Sequence, residues 1–129
     1  MWYAQTMISY DEFKKVEIRA GKILSAEKIP DTDKLLKLSV DFREVTEEKM
    51  EDGTVKTTPK YRQIVSGISQ YFPDPKVLVG KTCMFVTNLE PRVIKGYESN
   101  GMIFALSDDG GNFSLLEPNN SIMPGTPAK

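Results

Sequence analysis

The chain has 129 residues, of which 40% are apolar and 27% are charged, a balance typical of one globular domain with a single core. Its net charge of −1 argues against non-specific coating of nucleic acid, which requires a strongly basic surface. The sequence has no histidine and one cysteine, so histidine-based catalysis, Cys/His zinc sites and internal disulfides are excluded. We expect one domain over residues 1–129, located in the cytoplasm and without a membrane span.

The charges are unevenly distributed along the chain. Residues 13–43 carry eight cations and five anions, net +3, and residues 62–102 carry five and three, net +2. Residues 1–12, 44–61 and 103–129 are each net −2. A local positive groove is therefore compatible with the near-neutral total.

The N-terminal part predicts a short helix and a strand. Ser9 followed by Glu12 is a capping-box pattern, which predicts a helix over residues 10–15. Residues 16–29 largely alternate apolar and polar side chains, as a strand with one buried face does. Gly21 within this strand indicates a bulge or a sharp coil.

A turn at residues 30–33 separates this strand from a second alternating stretch at residues 36–42. Residues 43–60 have no clear apolar period. We interpret them as an extended hairpin or a mobile loop inserted after the second strand, with Asp52-Gly53 as the hairpin turn.

The remaining elements are again short. Strands are predicted at residues 62–68, 82–89, 101–106 and 113–116, with a helical turn at residues 76–80 and an extended proline-containing tail after residue 117. A coiled first strand, four or five further strands and a helical turn between the third and fourth indicate an all-β, five-stranded Greek-key barrel of the OB-fold type. This fold has short helices, and its open face is a platform for oligonucleotides.

Residues 88–102 form a polar and cationic loop between two predicted strands. The loop offers an amide, a guanidinium, an ammonium, a hydroxyl and a thioether, but no nucleophile with a general base beside it. The paired carboxylates Asp31/Asp33 and Asp108/Asp109 lie in predicted turns, where aspartate supports backbone hydrogen bonds. We therefore predict binding of an anionic polymer, with no catalytic residue, no metal site and no cofactor.

Eight residues are candidates for contacting such a polymer. Five cations suit phosphates and three further residues suit a ribose or an unstacked base: Lys34, Lys37, Arg62, Arg92 and Lys95, then Asn88, Ser99 and Met102. Alternatives remain open for several of them. Lys34, Lys37 and Arg92 could be merely solvated, Met102 could belong to the core, and Asn88 could brace a turn.

Five separate motifs carry a resemblance to a known family. They are Asp-Lys-Leu-Leu-Lys-Leu at 33–38, Arg-Gln-Ile-Val-Ser-Gly-Ile at 62–68, Leu-Val-Gly-Lys at 78–81, Asn-Leu-Glu-Pro-Arg at 88–92 and Gly-Tyr-Glu-Ser-Asn-Gly-Met at 96–102. In this order they resemble the tRNA-binding OB domain family, over about residues 10–124. That family occurs as a small free-standing dimeric protein and as the C-terminal domain of some methionyl-tRNA synthetases.

The resemblance implies a non-catalytic protein that binds tRNA by its shape and acts beside an aminoacyl-tRNA synthetase, specifically the methionyl enzyme. It also implies a homodimer, with an interface built by the N- and C-terminal segments, and it assigns RNA contact to the same eight residues. Three regions depart from the family pattern. Residues 43–60 are longer than the usual tight turn, residues 104–106 replace a more alanine-rich run, and the resemblance gives no role to Trp2 and Tyr3.

Two other functions are compatible with the same fold. A protein-binding module or export-related chaperone would need an apolar patch, for which Trp2, Phe72 and Tyr97 are the candidates. A nuclease or other OB-fold enzyme would need clustered metal-binding carboxylates, which the sequence does not show. The motifs at 62–68 and 88–102 favour tRNA binding over the protein-binding alternative.

Overall fold

The computed structural model describes residues 6–129, so Trp2 and Tyr3 lie outside the described residues. Within this range the chain is mostly β-structure, as predicted. The helix is α1, Tyr10–Phe13, and 3-10 turns span Ser69–Tyr71 and Pro75–Leu78. The strands are β1 Ile18–Lys28, β2 Leu36–Lys49, β3 Val55–Ser66, β4 Thr82–Val86, β5 Arg92–Ile94, β6 Tyr97–Ser99, β7 Met102–Ile103, β8 Ala105–Ser107 and β9 Phe113–Leu115.

The predicted capping box starts α1. The Ser9 hydroxyl accepts a hydrogen bond from the Glu12 amide at 3.0 Å, and the Glu12 carboxylate accepts one from the Ser9 amide at 3.2 Å. These reciprocal bonds satisfy two amides that the first helical turn would otherwise leave unpaired. None of the four helical residues is buried, and the helix ends at Phe13, two residues earlier than predicted.

Five strands form a curled antiparallel sheet in the order β3-β2-β1-β4-β7. β1 pairs with β2 through its C-terminal half and with β4 through its N-terminal half, so the sheet curls around this strand. This arrangement confirms the predicted OB-like, all-β fold. Two-stranded sheets of β5 with β6 and of β8 with β9 complete the described structure.

Gly21 lies where β1 changes from one partner strand to the other. A Cβ atom at this position would lie 2.5 Å from Cε1 of Phe42 and 2.7 Å from Cγ1 of Val40. Glycine therefore permits close packing of β2 against the bend of β1. The irregularity in pairing falls between Ile23 and Ser25, so the predicted bulge is displaced from Gly21.

The interior of the curl holds the hydrophobic core. Its fully buried members come from β1, β2, β3, β4 and the second 3-10 turn: Ile23, Leu36, Leu38, Val40, Phe42, Ile64, Leu78, Cys83 and Phe85. The rings of Phe42 and Phe85 meet edge to face with centroids 5.2 Å apart. Cys83 is a buried free thiol, and burial raises its pKa to about 12.

β2 and β3 extend beyond the core as a two-stranded hairpin, and residues 44–60 of this hairpin are called the arm. Pairing continues from Glu44 opposite Lys60 to Lys49 opposite Val55. The turn is closed by the Met50 amide donating to the Thr54 carbonyl at 2.8 Å, and Gly53 in the turn has a φ of 88°. Of the two forms that the sequence allowed for residues 43–60, the structure has the extended hairpin.

The C-terminal tail runs along the N-terminal half of β1. The Ala20 amide donates to the Thr126 carbonyl at 2.9 Å, and the Ala128 amide donates to the Ile18 carbonyl at 2.8 Å. The tail therefore adds backbone hydrogen bonds on the side of β1 that β4 leaves free, as an extended surface segment. Within residues 6–129, no helix is long and apolar enough to cross a bilayer.

Candidate nucleic-acid interface

The segment predicted as a loop at residues 88–102 contains a small hairpin. Arg92 pairs with Ser99 and Ile94 pairs with Tyr97, so β5 and β6 are joined by a two-residue turn. The turn residues, Lys95 and Gly96, have φ angles of 52° and 85°. Positive φ at both central residues is the geometry of a type I′ turn, which suits the right-handed twist of a hairpin.

Hydrogen bonds attach this β5–β6 hairpin to β3. The Val65 amide donates to the Ser99 hydroxyl at 2.9 Å, and the Asn100 amide donates to the Gln63 carbonyl at 2.8 Å. The Gln63 side-chain amide donates to the Glu98 carbonyl at 3.0 Å. These contacts hold β6 against the edge strand of the main sheet.

Lys37 lies next to this attachment point. It stands opposite Val65 across β2 and β3, and its ammonium nitrogen is 5.3 Å from the centroid of the Tyr97 ring. It also lies 3.8 Å from the Glu27 carboxylate, and both side chains of this pair are partly exposed. The ammonium group of Lys37 therefore places a positive charge from β2 next to the β5–β6 hairpin.

Three further candidate cations are exposed. Lys34 is exposed just before β2, where its carbonyl accepts from the Ser69 amide at 2.9 Å. Arg92 and Lys95 are exposed on β5 and on the turn that follows it. The four residues Lys34, Lys37, Arg92 and Lys95 are called the cationic ledge.

A small cavity of about 90 Å³, called the hairpin pocket, opens beside the ledge. It is lined by Val65, Leu89, Glu90, Arg92, Ile94, Ser99, Gly101 and Met102. Three of the predicted contact residues, Arg92, Ser99 and Met102, therefore meet in one place. Met102 is 45% exposed, so it does not belong to the core, which was the alternative considered for it. The next residue, Ile103, is buried instead.

Ser99 differs from its neighbours in the pocket because it is only 5% exposed. Its hydroxyl accepts from the Val65 amide and donates to the Gly101 carbonyl at 3.2 Å. These two bonds use its proton and fix its orientation. In this structure Ser99 anchors the hairpin, and its role as an RNA contact stays a prediction.

Arg62 is held by internal contacts. Its Nε and Nη2 atoms donate to the two carboxylate oxygens of Glu44, both at 2.8 Å, and its Nη1 donates to the Thr87 carbonyl at 2.5 Å. The guanidinium carbon lies 5.4 Å from the centroid of the Phe42 ring. Arg62 therefore packs on the core with its charge already paired.

Arg19 completes this cluster, and Arg19, Glu44 and Arg62 together are called the arginine clamp. Arg19 Nη2 lies 3.3 Å from a Glu44 oxygen, and its guanidinium carbon lies 5.6 Å from the same Phe42 ring. The hydrogen bond from Arg62 is the main reason that the pKa of Glu44 is lowered, with Arg19 adding to the effect. Sequence reasoning missed the clamp because nothing local links Glu44 to Arg62.

Asn88 is also used to position backbone. Its side-chain nitrogen donates to the Lys15 carbonyl at 2.6 Å, and its side-chain oxygen accepts from the Glu17 amide at 2.8 Å. The side chain thus connects the segment after α1 to the end of β4. This resembles the alternative role considered for Asn88, that of bracing a turn. Contact of Asn88 and Arg62 with RNA stays a prediction.

The residues weighed for other functions occupy structural positions. Asp108 accepts hydrogen bonds from the amides of Gly110 and Asn112, and the Asn112 side chain lowers its pKa. Phe72 packs against Phe113 with ring centroids 5.8 Å apart. Among residues 6–129, no group of three or more His, Cys, Asp or Glu side chains could hold a metal ion.

Residues 18–127 match the model of a protein family described as "Putative tRNA binding domain". The chain belongs to this tRNA-binding domain family. The match includes the cationic ledge, the hairpin pocket, the arginine clamp and the arm. It confirms the resemblance carried by the five sequence motifs.

Two curated relatives of this tRNA-binding domain are named methionine–tRNA ligase. The one from Methanosphaerula palustris is 43% identical over 125 residues, covering 97% of this chain, and the one from Methanospirillum hungatei is 47% identical over 119 residues, covering 92%. The chain spans 16% and 15% of the length of these relatives. It is therefore similar to one portion of much longer proteins.

Solved structures show the same fold. A methionyl-tRNA-synthetase-related protein from Pyrococcus horikoshii is 32% identical with a TM-score of 0.76, and the match covers 95% of this chain and 98% of that one. The chaperone CsaA from Bacillus anthracis gives a TM-score of 0.72 at 24% identity, covering 95% and 99% of the two chains. At that identity the chaperone is informative about the fold alone.

Proposed function

We propose that residues 1–129 form one non-catalytic domain that binds tRNA through the cationic ledge and acts beside an aminoacyl-tRNA synthetase, specifically the methionyl enzyme. The observation that carries the proposal is that Arg92 lines the hairpin pocket and Lys37 lies beside Tyr97 on the same β5–β6 hairpin, in a chain of the tRNA-binding family. The similarity to methionine–tRNA ligases supports the choice of synthetase.

The ledge has the charge and the freedom that phosphate binding requires. Within the described part of the chain, Lys34, Arg92 and Lys95 have no ion-pair partner, so their charge is available to a ligand. Arginine can present a two-pronged hydrogen-bond donor to a phosphate, and lysine presents a compact charge. Contacts of this kind position a folded RNA without reading its sequence.

The absence of catalysis is proposed on chemical grounds. The described residues around the ledge supply charge, apolar contact and hydrogen bonds, but the one hydroxyl lining the pocket, that of Ser99, is buried and donates to a carbonyl. A nucleophile would need a general base within hydrogen-bond distance. Binding without bond cleavage is therefore the function that fits these groups.

A homodimer is part of the same proposal. An apolar groove of about 570 Å³ lies between β4 and the C-terminal tail, where Met84, Leu116 and Ile122 contribute to its lining. The family resemblance places the dimer interface on terminal segments, and this tail builds one wall of the groove. Sedimentation equilibrium over a range of protein concentrations should give twice the chain mass, and a monomer at all concentrations would contradict the dimer.

The test of tRNA binding is a titration of the full chain with total tRNA at two salt concentrations. The double variant Arg92→Ala/Lys95→Ala removes two ledge cations and should weaken binding and flatten its salt dependence, by about 0.9 in logarithmic slope for each lost contact with a duplex phosphate. The control variant Lys22→Ala/Lys76→Ala removes the same charge from β1 and from the 3-10 turn at Pro75–Leu78.

The comparison of the two variants decides the location of the binding face. If both lose affinity equally, only total charge matters and the ledge is not the site. If neither variant differs from the parent, the assignment of Arg92 and Lys95 is wrong. For the synthetase partnership, adding the chain to methionyl-tRNA synthetase should lower the KM for tRNA and leave kcat unchanged.

A further inference from the structure

The hairpin pocket contains an acidic residue that phosphate binding does not explain. Glu90 lines the pocket together with Arg92, and both side chains are exposed. A carboxylate on a phosphate-binding surface repels the ligand. In the described part of the chain, no ion pair with N–O separation of 4.0 Å or less joins Glu90 to Arg92 or to any other cation.

The rest of the pocket is apolar or already hydrogen-bonded. Val65 is buried on one wall, Leu89 and Met102 are each about half exposed at the opening, and the Ser99 hydroxyl is held by Val65 and Gly101. The polar side-chain groups left for a ligand are therefore the Glu90 carboxylate and the Arg92 guanidinium. The pocket therefore offers two carboxylate oxygens that accept hydrogen bonds and a guanidinium that donates them, next to apolar side chains.

This combination matches one nucleobase better than the other three. The pairing edge of guanine presents a carbonyl, O6, followed by two adjacent N–H donors on N1 and N2. A carboxylate can accept both donors at once, and an arginine can donate to the carbonyl. Uracil offers one N–H donor on this edge, and adenine and cytosine each offer a single amino group beside an acceptor nitrogen, so none of them satisfies the carboxylate in the same way.

We propose that the hairpin pocket binds one unpaired guanine of the tRNA, with Glu90 accepting from N1 and N2 and Arg92 donating to O6. The flat ring rests against Met102 and Leu89 at the opening of the pocket. The guanine must be unpaired because its pairing edge is the edge that the protein reads. This inference rests on the proposed function, and a guanine shared by different tRNAs would add affinity without discriminating among them.

The first test depends on the direction of an affinity change. Glu90→Gln removes one negative charge from the hairpin pocket, and electrostatics alone predicts tighter binding of a methionine tRNA transcript. Loss of the guanine contact predicts the opposite, a weakening of about tenfold. The control is Glu98→Gln, which removes the same charge from the β5–β6 hairpin at an exposed residue outside the pocket lining.

Weaker binding by Glu90→Gln together with unchanged or tighter binding by Glu98→Gln would support the proposal. Unchanged or tighter binding by both variants would overturn it while leaving tRNA binding by the ledge intact. Weaker binding by both would also overturn it, because the effect would then not belong to the pocket. Thermal unfolding of each variant should match the parent, since both side chains are exposed.

The second test locates the base. Kethoxal modifies N1 and N2 of unpaired guanines, so the parent protein should protect one guanine of the transcript and Glu90→Gln should not protect it at saturating protein. Inosine lacks the N2 amino group, and placing it at that position should weaken binding to the parent but not further weaken binding to Glu90→Gln. If the parent protein binds the transcript but protects no guanine, the proposal that the pocket binds guanine is wrong, while tRNA binding by the ledge still stands. A parent that does not bind tRNA overturns the proposed function as well.

Discussion

Glu44 and Arg62 form a two-pronged ion pair at the base of the arm, with Nε and Nη2 of Arg62 each 2.8 Å from one oxygen of Glu44. The side chains are 23% and 18% exposed, so the pair is largely protected from water. The Arg62 guanidinium also lies over Phe42, a core residue. One contact thus connects the projecting hairpin, the edge strand and the hydrophobic interior.

Replacing Glu44 with glutamine should destabilise the fold. The substitution leaves the Arg62 charge largely buried without its counterion, and we expect a loss of about 2 kcal/mol in the free energy of unfolding. The measurement is urea denaturation at neutral pH. Glu48→Gln removes the same charge from an exposed position on the arm and serves as the control, because an exposed charge contributes little.

The effect of Glu44→Gln should depend on pH. The pKa of Glu44 is lowered from its ordinary value of 4.5, mainly by the Arg62 hydrogen bond, so its ionisation stabilises the folded state above that value. This contribution is lost as the pH falls through the lowered folded-state pKa. The difference in unfolding free energy between the parent and the variant should therefore shrink below pH 4.5. A difference that grows on acidification would contradict this assignment.

Gly21→Ala should destabilise the barrel by about 1–3 kcal/mol, because the added methyl would collide with Phe42 and Val40 inside the core. Gly67→Ala is the matched control, since a Cβ atom there would meet no atom within 4 Å. The midpoint of thermal unfolding should fall for the first variant and stay close to the parent value for the second. Equal midpoints for the two variants would show that the sheet bends without this close approach.

Cys83 should not react with alkylating reagents in the native protein. Burial raises its pKa to about 12, so very little thiolate forms near neutral pH, and the sulfur is fully buried. Iodoacetamide labelling followed by mass spectrometry should show an unmodified chain under native conditions and one adduct in urea. Rapid native labelling would mean that β4 opens readily.

The outer part of the arm, residues 47–57, should be dispensable for the fold and for tRNA binding. Replacing residues 47–57 with Asn-Gly leaves Thr46 and Thr58, which already face each other, flanking a two-residue turn. The deleted segment has four acids and two bases, net −2, and its residues are all exposed. We expect unchanged thermal unfolding and equal or tighter tRNA binding, measured on the same transcript. A clear loss of affinity would instead make the arm part of the RNA-binding surface.

The sequence predicts best where one face of a strand is buried. Residues 36–42 alternate because one side of β2 faces the core, and this pattern predicted the strand. From Val45 through Lys49 β2 is exposed on both faces, so no apolar period marks its length. β5 and β6 have three residues each, which is too short for a period to be recognised.

Site residues were harder to predict than strands because residue type does not reveal the partner. Arg62 and Arg92 are both cations within predicted binding motifs, yet one is paired with Glu44 and the other is exposed. The partner of Arg62 is 18 residues away, across an irregularity in pairing between Asp41 and Glu44. The register that brings them together depends on this irregularity, which no local pattern marked.

The β5–β6 hairpin has a consequence for how such proteins diversify. Lys95 and three of the residues that line the hairpin pocket, Arg92, Ile94 and Ser99, belong to a ribbon attached to the edge of the barrel, while the fully buried core residues lie in other segments. Mutations in this ribbon can change ligand preference with little loss of folding stability. Selection can thus change ligand preference while the barrel stays the same. A shared fold is therefore a poor guide to the ligand that each family member binds.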